Sequence, residues 1–150
     1  MKAPTRKHAS DVMTPNPARC SSETGLDQIA KLMVEYNCGE IVIVDIADRP
    51  IGVITDRDIA CRIVAEGKNP MGYPALSCMS EPVITVPLDA TLDEIVETME
   101  RHQVRRLPVV DADGSCAGMI AMADLVSLVP ARMISDLLEH ISRVSLHPSS

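Results

Sequence analysis

Laid against itself with an offset of 66 residues, the chain matches itself without a gap. Gly52-Val53-Ile54-Thr55-Asp56-Arg57-Asp58 falls on Gly118-Met119-Ile120-Ala121-Met122-Ala123-Asp124. The same offset pairs Met13 with Met79, Leu26 with Leu92, Asp27 with Asp93, Ile29 with Ile95 and Met33 with Met99. Val44-Asp45 meets Val110-Asp111. Apolar character is also kept between the identities, so the pattern reads as a tandem duplication. Each copy has about 50 residues, marginal for a core of its own. Two copies packed by their sheets would bury each other's apolar side.

The elements repeat with the residues. Leu26, Ile29, Ala30 and Met33 have helical spacing, as do Leu92, Ile95, Val96 and Met99. Thr91-Leu92-Asp93-Glu94 is a capping box; in the first copy Gly25 holds the matching place, with Thr24 as another candidate cap. Strands are expected at 41–44 and 107–110, an Asp-containing turn next, and second strands at 51–54 and 117–120. Helices should start near Thr55 and near Ala121. A strand before each first helix is expected at 18–20 and 83–86. The fold class is therefore α+β: a β-α-β-β-α unit repeated, two small sheets with helices outside, and a C-terminal helix. That helix begins at Pro130 and carries Met133, Ile134, Leu137, Leu138 and Ile141 as its apolar stripe. The stripe can cover its own chain or pair with a second one. The expected boundaries are a flexible tail over 1–9, repeats over 10–66 and 76–129, a linker over 67–75, the last helix over 130–145 and a tail over 146–150.

Composition narrows the function. Apolar residues make up 46% of the chain, with no Phe or Trp, two Tyr and nine Met, so the core must be aliphatic with Met as adaptable filler. A net charge of −7 argues against nucleic acid, which needs a basic face, and the missing aromatics remove stacking platforms. No apolar run approaches the ~20 residues of a membrane span. Met1 to Ser10 is basic without an apolar core, so it reads as a flexible tail and not as a secretory signal. The five cysteines are scattered without a CxxC pair, as expected of reduced thiols in the cytoplasm. His8, His102, His140 and His147 are equally scattered, and no catalytic constellation stands out, so the chain is not expected to be an enzyme.

The heptad from Gly52 to Asp58 has its own chemistry. Gly52 lets a ligand or a neighbouring backbone approach closely. Thr55 stands where a strand turns into a helix, so its hydroxyl and the first N–H groups can meet an anion. Asp58, an acceptor when ionised, suits the vicinal hydroxyls of a ribose. Thr-x-x-Asp is equally a helix cap with a favourable acid in the first turn.

Met13-Thr14 and Met79-Ser80 ahead of each copy, Val104 to Asp111 (VRRLPVVD) and GVITDRD, in this order and repeated, resemble a pair of CBS domains, or Bateman module. The resemblance spans roughly 10–129 and is to stand-alone bacterial proteins made of little more than one such pair. It implies a disc of two or four such motifs, often by homodimerisation, with adenosine-type ligands (AMP, ADP, ATP, NAD or S-adenosylmethionine) held between motifs. Carried over, Gly52, Val53, Thr55, Arg57 and Asp58 would face Met79, Ile84, Val104, Arg105 and Arg106. Asp58 would take the ribose and the arginines the phosphate. The mirror-image set comprises Met119 and Asp124 with Met13, Ala18, Cys38 and Gly39. It is poorer, because Ala121 replaces the threonine and Glu40 stands where the other copy has Arg106. The expected function is a non-catalytic, nucleotide-binding regulatory module with a protein partner not named by the sequence. The alternative is a protein–protein interaction module with no physiological nucleotide.

Overall fold

The computed structural model describes residues 7–146, with side chains to residue 141. Its elements run α1 (Ala9–Val12), β1 (Thr14–Pro15), β2 (Arg19–Cys20), α2 (Leu26–Glu35), β3 (Glu40–Val44), β4 (Pro50–Thr55) and α3 (Asp56–Ile59). They continue with β5 (Val86–Pro87), α4 (Leu92–His102), β6 (Arg106–Val110), β7 (Cys116–Ala121) and α5 (Ala131–Leu146). The sheets have the orders β2-β3-β4 and β1-β7-β6-β5. The expected α+β repeat with small sheets and a C-terminal helix is what the chain forms.

The chain divides into two compact units, and they are not simply the two repeats. One holds residues 16–83 with 113–116; the other holds the chain up to Pro15, 84–112 and the chain from Ala117. The segment leading into each repeat thus packs in the unit of the other. Thr14 and Pro15 pair antiparallel with Met119 and Gly118. Ser80 pairs antiparallel with Val53. Glycine permits both crossings. A Cβ on Gly52 would lie 3.0 Å from the Ser80 carbonyl oxygen, and one on Gly118 would lie 2.9 Å from that of Thr14. Of the two uses open to Gly52, close approach by backbone is the one the fold makes of it.

Within the first unit, β2 pairs parallel with β3, and β3 antiparallel with β4 with a register shift after Ile43. Leu26, Ile29 and Met33 of α2 pack with Ile41, Ile43 and Ile54. In the second unit Leu92, Ile95, Val96 and Met99 of α4 pack with Leu107, Val109 and Ile120, and Ile134, Leu137 and Ile141 of α5 close the same core. The α5 stripe therefore covers its own chain; Leu138 at its edge stays 41% exposed. Both cores are aliphatic, with Met33, Met79 and Met99 buried in them. The duplication also reaches the backbone: Asn37 and Gln103, then Asp48 and Gly114, have positive φ at equivalent positions.

An arginine ties the loops of the first unit. Arg19 Nη1 donates to Asp48 Oδ2 at 2.7 Å and to the Cys116 carbonyl at 2.8 Å, and Nη2 donates to Asn16 Oδ1. The Cys116 N–H in turn donates to the Asp48 carbonyl at 2.8 Å. These bonds explain why residues 113–116, which belong to the second repeat by sequence, pack with the first.

Several expectations need correction. The end of the expected tail is structured: His8 bridges to Thr91, Ala9 is fully buried, and Ala9 and Ser10 donate to the carbonyls of Ala90 and Leu88. Residues 1–6 and 147–150 lie outside the described residues. The strand expected at 83–86 is confined to Val86–Pro87, because residues 79–83 belong to the crossing into the other unit. Thr24 does not cap α2. Its hydroxyl accepts from Ser21 N at 3.2 Å, and Gly25 is the N-cap without a side-chain bond. The helix expected from Ala121 is only a 3₁₀ turn over Met122–Leu125, whereas α3 continues as a π-helical turn over Ala60–Val64.

The glycine crossing predicts a graded mutational response. Gly118→Ala forces the added methyl against backbone and Met13, and should destabilise the protein by about 1–3 kcal/mol. Gly72→Ala, where a Cβ meets nothing within 4 Å, should change stability far less. Urea unfolding of both variants checks the order.

Candidate functional site

The turn from β4 into α3 is a reciprocal cap. Thr55 has extended backbone, and its Oγ1 accepts from the Asp58 N–H at 3.0 Å. Asp58 Oδ2 accepts from the Thr55 N–H at 2.9 Å. The capping role of Thr-x-x-Asp is therefore real, and it leaves chemistry over. It uses one carboxylate oxygen of two. Asp58 Oδ1 lies 3.8 Å from Arg62 Nε, an ion-pair separation too long for a hydrogen bond. The carboxylate is only 16% exposed, so what it binds is partly shielded from water. An oriented, shielded acceptor suits a diol.

Around it, Gly52 is buried and Val53 half-buried. Val53 exchanges backbone bonds with Ser80, N to O at 3.2 Å and O from N at 2.8 Å. Met79 is buried against Gly52. Arg57 is exposed, beside Asp56, whose Oδ1 accepts from the Arg57 N–H at 2.8 Å. The Asp56 N–H donates to the Gly39 carbonyl at 3.0 Å, and a Cβ on Gly39 would lie 3.2 Å from Asp56 Oδ2. Ala18 and Cys38 are partly buried against the same core, and Glu40 opens β3.

The equivalent turn in the other unit is weaker. Asp124 Oδ2 accepts from the Ala121 N–H at 2.8 Å, but alanine returns no bond and Asp124 is exposed. Met13 packs against Gly118, and Met119 pairs with Thr14. The Met122 N–H donates to the Arg105 carbonyl at 2.8 Å, the counterpart of the Asp56–Gly39 bond. Arg105 and Arg106 are exposed, while Ile84 and Val104 are partly buried on the unit's core.

The structure thus brings Gly52, Val53, Thr55, Arg57, Asp58 and Met79 together in one unit, with Ala18, Cys38 and Gly39. Ile84, Val104, Arg105 and Arg106 belong to the other, with Met13, Met119 and Asp124. Two residues at the Asp58 turn were missed by sequence reasoning. Arg62 could have been found, since Asp58 and Arg62 form an i, i+4 pair. Cys78 had no signal: burial pushes its thiol up from the ordinary cysteine value, the Asp58 charge pushes further, and Arg62 opposes them. Burial likewise raises the Cys20 thiol against an opposing Thr24 hydroxyl. Both shifts favour the protonated thiol over a reactive thiolate. Among the described residues no cluster of three His, Cys, Asp or Glu side chains is placed to hold a metal ion, and no helix is long and apolar enough to cross a membrane.

Comparison with known proteins identifies two domains of one family. The model of the CBS domain matches residues 9–65 and 75–131. An uncharacterized protein of Methanopyrus kandleri is 42% identical over 120 residues, covering 80% of this chain and 59% of the relative. The chain thus spans little more than half of that relative's length. The CBS domain-containing protein YhcV of Bacillus subtilis is 32% identical over 138 residues, covering 91% of this chain and 96% of the relative. Among solved structures, the CBS domain pair of protein MJ0100, in complex with 5′-methylthioadenosine and S-adenosyl-L-methionine, superposes with a TM-score of 0.73. It is 25% identical and covers 81% of this chain and 94% of that one.

The difference between the two turns is open to a direct stability test. Thr55→Ala should cost about 1 kcal/mol through the lost cap, and Ala121→Thr should gain up to a similar amount, as its extended backbone already fits a capping residue. Chemical denaturation of the two variants measures both.

Proposed function

We propose that this chain, which belongs to the CBS-domain family and carries two CBS domains in tandem, is a non-catalytic regulatory module that binds an adenosine-type ligand at Asp58. The observation that carries the reading is the Asp58 carboxylate. One oxygen is fixed by the cap and the other is oriented, shielded and unused by any hydrogen bond within the described residues. A ribose offers two adjacent hydroxyl donors to such a group, and a charge-assisted bond to each is stronger than a neutral one. Val53 and Met79 would supply the apolar surroundings for a base, and the Thr55 hydroxyl and Arg57 would supply polar contacts for a phosphate or another polar substituent.

Support from relatives is of the same chemical class: the MJ0100 pair holds two adenosine derivatives. The assignment of Ile84, Val104, Arg105 and Arg106 to the same ligand rests on family resemblance, as does assembly into a homodimer. Asp124, exposed and without a threonine partner, is assigned the weaker role, together with Met13, Ala18, Cys38, Gly39 and Met119. Regulation would follow if the ligand binds one conformation or assembly better than another; affinity without such a difference shifts nothing. AMP, ADP, ATP, NAD and S-adenosylmethionine are the ligands to try, and a cytoplasmic location is the setting in which the proposal places them.

Isothermal titration with AMP, ATP, NAD and S-adenosylmethionine tests the reading. At least one should bind the wild-type protein. Asp58→Asn should weaken that ligand about tenfold or more, the scale of a lost hydrogen bond to a charged group. Asp124→Asn should leave it within about twofold. Equal losses in the two variants would contradict the assignment.

A further inference from the structure

Arg62 joins the Asp58 carboxylate to the segment that crosses from the other repeat. Its Nε faces Asp58 Oδ1 at 3.8 Å, while Nη1 of the same guanidinium donates to the Cys78 carbonyl at 3.2 Å. The planar fork of arginine makes two such contacts with one fixed group, which a flexible ammonium does less well. Cys78 leads directly into Met79, buried against Gly52, and Ser80, which exchanges both backbone bonds with Val53. Burial and the Asp58 charge raise the Cys78 thiol while Arg62 opposes them, as the geometry of the three groups requires. Arg62 is carried by the π-helical turn that continues α3, an irregularity often found at functional sites. The other repeat has none of this: the position equivalent to Arg62 is Leu128, beyond a 3₁₀ turn.

We propose that Arg62 is a positioning residue: it orients Asp58 Oδ1 without consuming its lone pairs, and it couples the charge of that carboxylate to the hold of the Cys78–Ser80 segment on β4. This rests on the nucleotide reading of Asp58. A ligand hydroxyl donating to Oδ1 draws on the same charge that attracts Arg62. Occupancy of the site is thereby transmitted, through one guanidinium, to the strand crossing at Gly52. Leu128 cannot do this, so only one of the two repeats carries the device.

The test has two arms on the full chain. In the first, without ligand, amide hydrogen exchange at Ser80 should speed up about fivefold or more in Arg62→Met, as expected when a local opening loses one contact to a charged group. Arg62→Lys should restore part of the protection, and Ile120 in the other unit should not change. In the second, titration with AMP should weaken by up to about fivefold in Arg62→Met, the scale of an exposed ion pair. In an Asp58→Asn background the same substitution should cost almost nothing, because a residue acting through Asp58 is not additive with it. Unchanged Ser80 exchange in Arg62→Met, or additive losses of AMP affinity, would overturn the proposal. If the wild-type protein gives no heat with AMP while Ser80 responds as stated, the link from Arg62 to the crossing stands and the AMP assignment of Asp58 fails.

Discussion

The close crossing of backbone at Gly52 and Gly118 is the constraint on which the remaining architecture depends. Each repeat alone is too small to bury its sheet and helices well. The chain answers by sending the lead segment of each repeat into the unit of the other: Thr14–Pro15 onto β7, and Ser80 onto Val53 of β4. Such an approach leaves no room for a side chain at either glycine. Neither unit is complete in one continuous stretch of sequence, so each draws on residues of both repeats. The Arg19 hub, which fastens residues 113–116 beside Asp48, adds a second interlock.

The same crossing places chemistry. β4 carries Gly52 and Val53 under the Met79–Ser80 segment and then delivers Thr55 and Asp58 to a capped turn. The cap is a structural device, yet it fixes the carboxylate and uses only part of it. The structural role and the proposed ligand role are therefore not rivals at Asp58, because the first supplies the preorganisation that the second would need. At Asp124 the cap is one-sided and exposed, and the preorganisation is correspondingly poorer. Duplication produced two frames, and the substitutions Thr55/Ala121 and Arg62/Leu128 made them unequal.

Much of the fold was legible in the sequence because the repeat doubles every signal. Helical spacing in α2 and α4, the box at Thr91, and the strands around Gly52 and Gly118 all read correctly to within a residue or two at their ends. What was not legible depends on contacts distant in sequence. The burial of Ala9, the exchange of lead segments and the docking of residues 113–116 have no local pattern. The 3₁₀ turn after Ala121 and the π turn after Ile59 likewise have no local sequence signal. At the capped turn, Thr55 and Asp58 could be picked from their spacing, but the nearness of Cys78 could not, since it comes from the chain returning to β4.

The central claim is that one of the two repeats carries a competent adenosine-type site and the other does not. The most direct measurement is the number of such ligands bound per chain at saturation, by native mass spectrometry of the protein with AMP and with S-adenosylmethionine. The account predicts a single ligand per chain, with no second binding step of similar affinity. Two ligands per chain of equal affinity, or none with any adenosine derivative, would contradict it.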